Sequence, residues 1–174
     1  MVTYIAEIEH YNQVLARMRK VKRLLWIATA DLKDLYVMSE QGNTIPFLKI
    51  LRDLLKKGVE VRLLHAKEPG TAFREDFDKY PLLWKQLERR LCPRVHMKII
   101  AIDSELVYIG SANMTGAGMG MKSLNNRNFE AGILTDEPGF VDSAMGQFDQ
   151  IWEGTYCAKC GRKDYCSDCI STNL

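Results

Sequence analysis

Disulfide chemistry is missing from most of this chain. Of its five cysteines four fall within the last 18 residues and Cys92 stands alone before them, so no framework of bridges can staple the whole domain. Cys92 reads as a buried or idle thiol. Long apolar runs are also missing: none approaches the roughly 18 residues of a membrane-spanning helix. The opening MVTYIAEIEHYNQ lacks the positive flank and apolar core of a secretory signal. A cytoplasmic protein with no membrane insertion is therefore expected. Charge of one sign is lacking too, since 24 Lys and Arg against 22 Asp and Glu leave a net +2. That balance permits a phosphate-bearing partner without requiring one. The sequence contains no internal repeat and no low-complexity linker.

What is present is enough for one sizeable core: 174 residues, 47% hydrophobic, predict a single domain over 1–153 with a small appendage over 154–174. Tyr4, Ile8, Tyr11, Val14, Leu15, Met18 and Val21 recur at helical spacing and predict an amphipathic helix over 4–22. LLWIATA (24–30) reads as a strand. TIPFLKILRDLLKKG (44–58) reads as a helix, with Thr44 as N-cap, Pro46 in the first turn and Gly58 as the stop. VEVRLLH (59–65) follows as a second strand, giving a parallel strand–helix–strand unit. Residues 71–91 read as helical with a break at Pro81, turning Phe73, Phe77, Tyr80, Trp84 and Leu87 to the core. KIIAID (98–103) and LVYIG (106–110) predict a hairpin, and Gly116, Gly118 and Gly120 loosen the loop after it. A strand over 129–135 and a helix over 137–152 close the domain, the helix burying Phe140, Ala144, Phe148, Ile151 and Trp152. The expected class is α/β: a mixed, mostly parallel β-sheet flanked by helices on both faces.

The polar residues of VHMKIIAIDSELVYIGSAN (95–113) do not fit a purely structural hairpin. His96 and Lys98 are two apart, so on a strand an imidazole and an ammonium share a face. The second strand ends in Gly110-Ser111-Ala112-Asn113, and the hairpin register brings Ser111 and Asn113 back beside His96 and Lys98. Lys98 supplies a point charge and Ser111 and Asn113 supply donors, while His96 can attack or move a proton near neutral pH. The set suits an anionic oxygen centre. A carboxylate pair of the kind a two-metal phosphodiesterase uses is absent, so hydrolysis would need His96 as the nucleophile. His10 and His65 stand in no such context and read as satisfied structural residues. The basic face Lys49, Arg52, Lys56 and Lys57 reads as solvation. Met114, Met119 and Met121 fit either an apolar lip at the site or gap-filling in the core.

Read as His96-x-Lys98-x4-Asp103-x6-Gly110-Ser111-x-Asn113, the stretch resembles the HKD signature of the phospholipase D superfamily, and NRNFEAGILT resembles the strand that follows it, with Glu130 at the acidic position. The resemblance implies a metal-independent phosphodiesterase in which His96 forms a covalent phosphohistidine. Lys98 and Asn113 would bind the non-bridging oxygens, with Ser111 assisting. Glu130 would hydrogen-bond and orient His96, and Asp103 would be structural. Family enzymes combine two signatures, whereas this chain has one, so a homodimer sharing the site between two copies of His96 is implied. Catalysis would need no cofactor. Nucleic acid is the expected substrate; a phospholipid or other phosphodiester, or a non-catalytic nucleic-acid-binding subunit, are the alternatives.

Cys157-x2-Cys160-x5-Cys166-x2-Cys169 is a second constellation. Two C-x2-C knuckles suit a tetrahedral four-thiolate structural zinc site; an iron–sulfur centre or unliganded thiols are the alternatives. Lys159, Arg162 and Lys163 make the knuckle basic.

Overall fold

The computed structural model describes residues 1–33, 35–39 and 42–170. In chain order its strands are β1 (Val2–Ala6), β2 (Leu24–Thr29), β3 (Tyr36–Met38), β4 (Thr44–Pro46), β5 (Glu60–His65), β6 (Glu88–Leu91), β7 (Ile99–Ile102), β8 (Leu106–Gly110) and β9 (Ala131–Thr135). A π-helical turn, His10–Leu15, runs into α1 (Ala16–Met18); α2 (Phe47–Lys56), α3 (Thr71–Asp78), α4 (Pro81–Gln86) and α5 (Pro138–Trp152) follow. Among the described residues seven strands form one sheet in the order β1-β9-β8-β7-β2-β5-β6, and β3 pairs with β4 in a separate hairpin.

The sheet is mixed and covered by helices on both faces. Along β2, Leu25 and Ile27 enter one core together with α2, α3 and the segment around Val14–Met18, whereas Trp26 and Ala28 enter the other with α5. This is the period-2 alternation of a strand buried on both sides. Trp26 stacks on Phe148, which stacks in turn on Trp152, and Arg62 lies over both tryptophans.

The pairing corrects the expected mostly parallel sheet. β2 with β5 and β5 with β6 are parallel, while β7 with β2, β8 with β7, β9 with β8 and β1 with β9 are antiparallel. The parallel part is what helical crossovers build; the antiparallel part is built from the hairpin and the strands that join it. β1 was hidden because Tyr4 and Ile8 fit a helical period, yet residues 2–6 alternate in burial and Glu7 turns the chain at φ 51° before the helical turn begins. Thr44 lies in β4 and is no cap; Pro46 precedes α2, which ends as expected before Gly58 at φ 80°. β6, Glu-Arg-Arg-Leu, is an edge strand, where charged residues are tolerated because one side of the ladder meets solvent.

Trp84 is 65% exposed and Phe140 48%, against the expectation that both are core. Met114 and Met119 are buried, which decides in favour of gap-filling. Replacing Phe148 by Ala should cost about 3–5 kcal/mol, the usual range for emptying an aromatic site, read as a lower urea midpoint with unchanged slope. Trp84→Ala, at an exposed position, should move the midpoint little.

Candidate active site

The register of the sheet arranges the polar residues in rows. Ile27, Ile100, Tyr108 and Leu134 lie side by side across β2, β7, β8 and β9 and face the same core. Two residues further along each strand, the next row on that face is Thr29, Lys98, Gly110 and Gly132. The bond from Gly110 N to Lys98 O, 3.2 Å, carries the hairpin one step past the last strand residue. One row beyond, the same register sets His96 level with Ala112 and Glu130. The cluster thus stands at the carboxyl ends of the parallel strands, where open α/β sheets hold ligands.

His96 is exposed and Lys98 is nearly buried, at 8% exposure. Lys98 Nζ donates to His96 O at 2.7 Å and lies 3.4 Å from His96 Nδ1. Among the described residues Lys98 makes no ion pair with a carboxylate, so a half-desolvated ammonium beside an open imidazole is left to attract an anion.

Asn113 reaches from the end of β8 across β7 to β2. Its Oδ1 accepts from Ala30 N (3.2 Å) and Asp31 N (3.1 Å) and lies 3.3 Å from Thr29 Oγ1. Two backbone N–H donors converging on one atom identify it as the oxygen, which fixes the amide plane and leaves Nδ2 as the donating end. Thr29 Oγ1 in turn accepts from Met114 N at 3.0 Å and donates to Asp31 O at 2.8 Å, so the crossing is braced from both sides.

Ser111 Oγ donates to Glu130 Oε2 and accepts from Ala131 N at 3.1 Å. Asn128 Nδ2 donates to Glu130 Oε1 at 3.0 Å. Glu130 therefore holds Ser111 and Asn128 and, among the described residues, no bond to His96, which corrects the expected imidazole partner. Asp103 is likewise not brought to the cluster. It sits at the opposite end of β7 in the hairpin turn, with φ 56° followed by Ser104 at 58°, and its carboxylate accepts from the backbone N–H of Lys22 (3.1 Å), Arg23 (2.7 Å) and Leu24 (3.2 Å). It ties the turn to the start of β2.

Under the site, Tyr108 was not singled out from sequence, and its partner His10 was expected to be a satisfied structural residue. Tyr108 lies beneath Gly110 and Gly132: a Cβ at either glycine would run into its ring, and also into Ala131 O at 2.7 Å or Ile109 O at 2.8 Å. Its hydroxyl accepts from Ala112 N at 3.4 Å and lies 2.9 Å from His10 Nε2. His10 Nδ1 faces the carbonyl of Glu7 at 3.1 Å; a carbonyl only accepts, so Nδ1 carries the proton and Nε2 accepts from the phenol. Burial pushes Tyr108 up to about 12 and pulls His10 below the ordinary imidazole value. The signal was available in two glycines facing one tyrosine across a strand pair. His65, at the end of β5, is buried as well; Nδ1 donates to Lys67 O at 2.8 Å, and burial lowers its pKa.

The four C-terminal cysteines occupy the stretch after α5. Among the described residues no three Cys, His, Asp or Glu side chains already converge as metal ligands. No helix among them is long and apolar enough to cross a membrane.

The α/β sheet thus collects a histidine, a buried lysine and oriented neutral groups at its strand ends. The family model described as "Cardiolipin synthase, PLD-like domain" matches residues 14–152, and the chain belongs to this phospholipase D-like family. No curated protein sequence matches it. Among solved structures it is similar to NucT from Helicobacter pylori, at TM-score 0.65 and 14% identity over 88% of this chain and 96% of that one. It is also similar to Nuc from Salmonella typhimurium, described as a phospholipase D family member, at TM-score 0.62 and 18% identity over 88% and 94%. The archaeal chromatin protein TrmBL2, whose structure is described as showing a novel mode of DNA binding, aligns at TM-score 0.59 and 14% identity over 87% of this chain and 52% of its own.

The two buried histidines predict how stability responds to acid. Each binds a proton less readily folded than unfolded, so unfolding takes up protons once pH falls below the ordinary value of 6.5. Stability should hold above that value and decline below it, toward the lower folded values. The urea midpoint followed from about pH 7.5 to about pH 5, across the imidazole range, should fall, and His10→Asn should flatten part of that fall.

Proposed function

We propose that this protein is a phosphodiesterase, most simply a nuclease, that works through a covalent phosphohistidine in a site shared by two copies of the chain. The observation that carries the reading is Lys98, held by the backbone carbonyl of His96 with its ammonium beside the exposed imidazole. Lys98 Nζ, Asn113 Nδ2 and, once released from Glu130, Ser111 Oγ would hold the non-bridging oxygens. Lys98 and Asn113 are positioned before substrate arrives, as electrostatic catalysis requires. An unprotonated ring nitrogen of His96 attacks phosphorus; the P–N bond forms as the bond to the leaving oxygen breaks. An acid protonates that oxygen. The same group then takes a proton from water, the hydroxide attacks phosphorus, the P–N bond breaks and His96 is regenerated.

The identity of the acid supports the dimer. Of three histidines, His10 and His65 are fully buried and turn their Nδ1 protons to backbone carbonyls. Neither can reach a leaving group. The remaining exposed imidazole available to a one-signature chain is the His96 of a second copy. Phe129, 90% exposed beside Glu130, is a large apolar surface that such a pairing would cover. A nucleic-acid substrate is favoured over a lipid because the fold that the chain shares with TrmBL2 accompanies DNA binding in that protein.

His96→Ala should lower turnover on DNA or RNA by at least about 10³-fold while leaving binding intact, the scale expected for a lost nucleophile. Brief exposure to excess chelator should leave wild-type turnover unchanged, and loss of activity with the fold intact would defeat the metal-free mechanism. Turnover of phospholipid vesicles with none on any nucleic acid would reassign the substrate. An active species that sediments as a monomer at assay concentration would defeat the shared site.

A further inference from the structure

The stretch after α5 has almost nothing apolar to hold it together. Among residues 155–170 the side chains that are not exposed are Cys157, Cys160, Cys166, Cys169 and Ile170; Ile170 packs over Gly154, where a Cβ would meet it at 2.7 Å. Four thiols and one isoleucine are too little hydrophobic surface to order 16 residues, since each ordered residue costs about 1.5 kcal/mol of conformational entropy. Yet the chain is folded into two turns. Cys160 N bonds to Cys157 O at 3.1 Å, Cys160 Sγ accepts from Arg162 N at 3.5 Å, and a short 3-10 turn, Lys163–Tyr165, leads to the second Cys pair. Backbone N–H donation to the sulfur of a C-x2-C turn is the arrangement that stabilises a thiolate. The thiols of Cys157 and Cys169 already meet across the two turns.

We propose that Cys157, Cys160, Cys166 and Cys169 bind one zinc ion as a tetrahedral thiolate centre that clamps the edge of the sheet just ahead of His96. Binding releases the four thiol protons and leaves a centre of charge −2, beside which Arg94 and Lys163 lie. Cys166 must turn from Leu91 O, to which its thiol donates at 3.5 Å, to complete the set. The clamp follows from the docking contacts. Asp168 Oδ2 accepts from Leu91 N at 2.7 Å, and Arg94 Nη1 reaches Cys160 Sγ at 3.8 Å. Leu91 and Arg94 bracket the connection from β6 to His96, and Cys92 within it lines the same cleft of about 190 Å³ as Cys157 and Cys160. Zinc is favoured over softer or redox-active alternatives because two C-x2-C turns on one short loop supply the four thiolates of a structural zinc centre.

The test uses the full chain purified under reducing conditions. Elemental analysis should find about one zinc per chain after desalting. Cys157→Ser and Cys169→Ser should each lower it severalfold, and Cys92→Ser should retain it. Less than half an equivalent of zinc, or iron in its place, overturns the centre. Because the serine variants could fail to fold, the wild-type protein is also stripped with a strong chelator and followed by hydrogen exchange. The amides of Leu91 and Val95 should then exchange at least tenfold faster, while those of β7 stay protected; unchanged exchange at Leu91 and Val95 overturns the clamp. None of these readouts depends on catalysis, so they stand or fall apart from the phosphodiesterase reading.

Discussion

The burial of β7 on both faces is the constraint from which the rest follows. All four of its residues are buried, Ile100 and Ile102 in one core and Ile99 and Ala101 in the other. A strand fixed in this way cannot slip by one position without turning every apolar side chain to the wrong core. Its polar extension is therefore fixed too. His96 and Lys98 leave the sheet at a set height and face, and Gly110, Gly132 and Thr29 are level with them because their own strands are locked to β7 and its neighbours. The candidate site sits at the end of the most strongly determined element.

The second organising feature is that the neutral donors are used twice. Asn113 spends its oxygen on the backbone of residues 30 and 31 and keeps its nitrogen; Ser111 accepts from the backbone of β9 while it donates its proton to Glu130. Each group is oriented by the half that faces the protein. A site assembled in this manner needs little reorganisation when a charged oxygen arrives, which is the physical content of electrostatic preorganisation.

Much of this was legible in the sequence because it depends on local pattern. The β2–α2–β5 unit, the β7–β8 hairpin and α5 follow from apolar periodicity and turn residues, and the H-x-K spacing with G-S-x-N places its members on adjacent strand ends. What escaped depends on partners distant in sequence. Residues 2–6 became a strand through pairing with 131–135, an encounter no local period encodes, and that pairing helped make the sheet predominantly antiparallel. β6 escaped because an edge strand can carry three charged residues. Glu130 is at its expected strand end, yet whether its carboxylate reaches His96 or Ser111 is decided by side-chain geometry on a scale of a few ångströms. The Tyr108–His10 pair joins positions 98 residues apart and left as its local trace two glycines whose meaning required the register.

Those glycines have a consequence for how the site can change over time. Tyr108, Gly110 and Gly132 share one volume on one face of two strands, so their sizes are not independent variables. Any lineage that enlarges position 110 or 132 must first shorten position 108, and in doing so gives up the hydroxyl that satisfies His10 and the amide of Ala112. The floor of the site therefore changes as a block of five residues rather than one at a time.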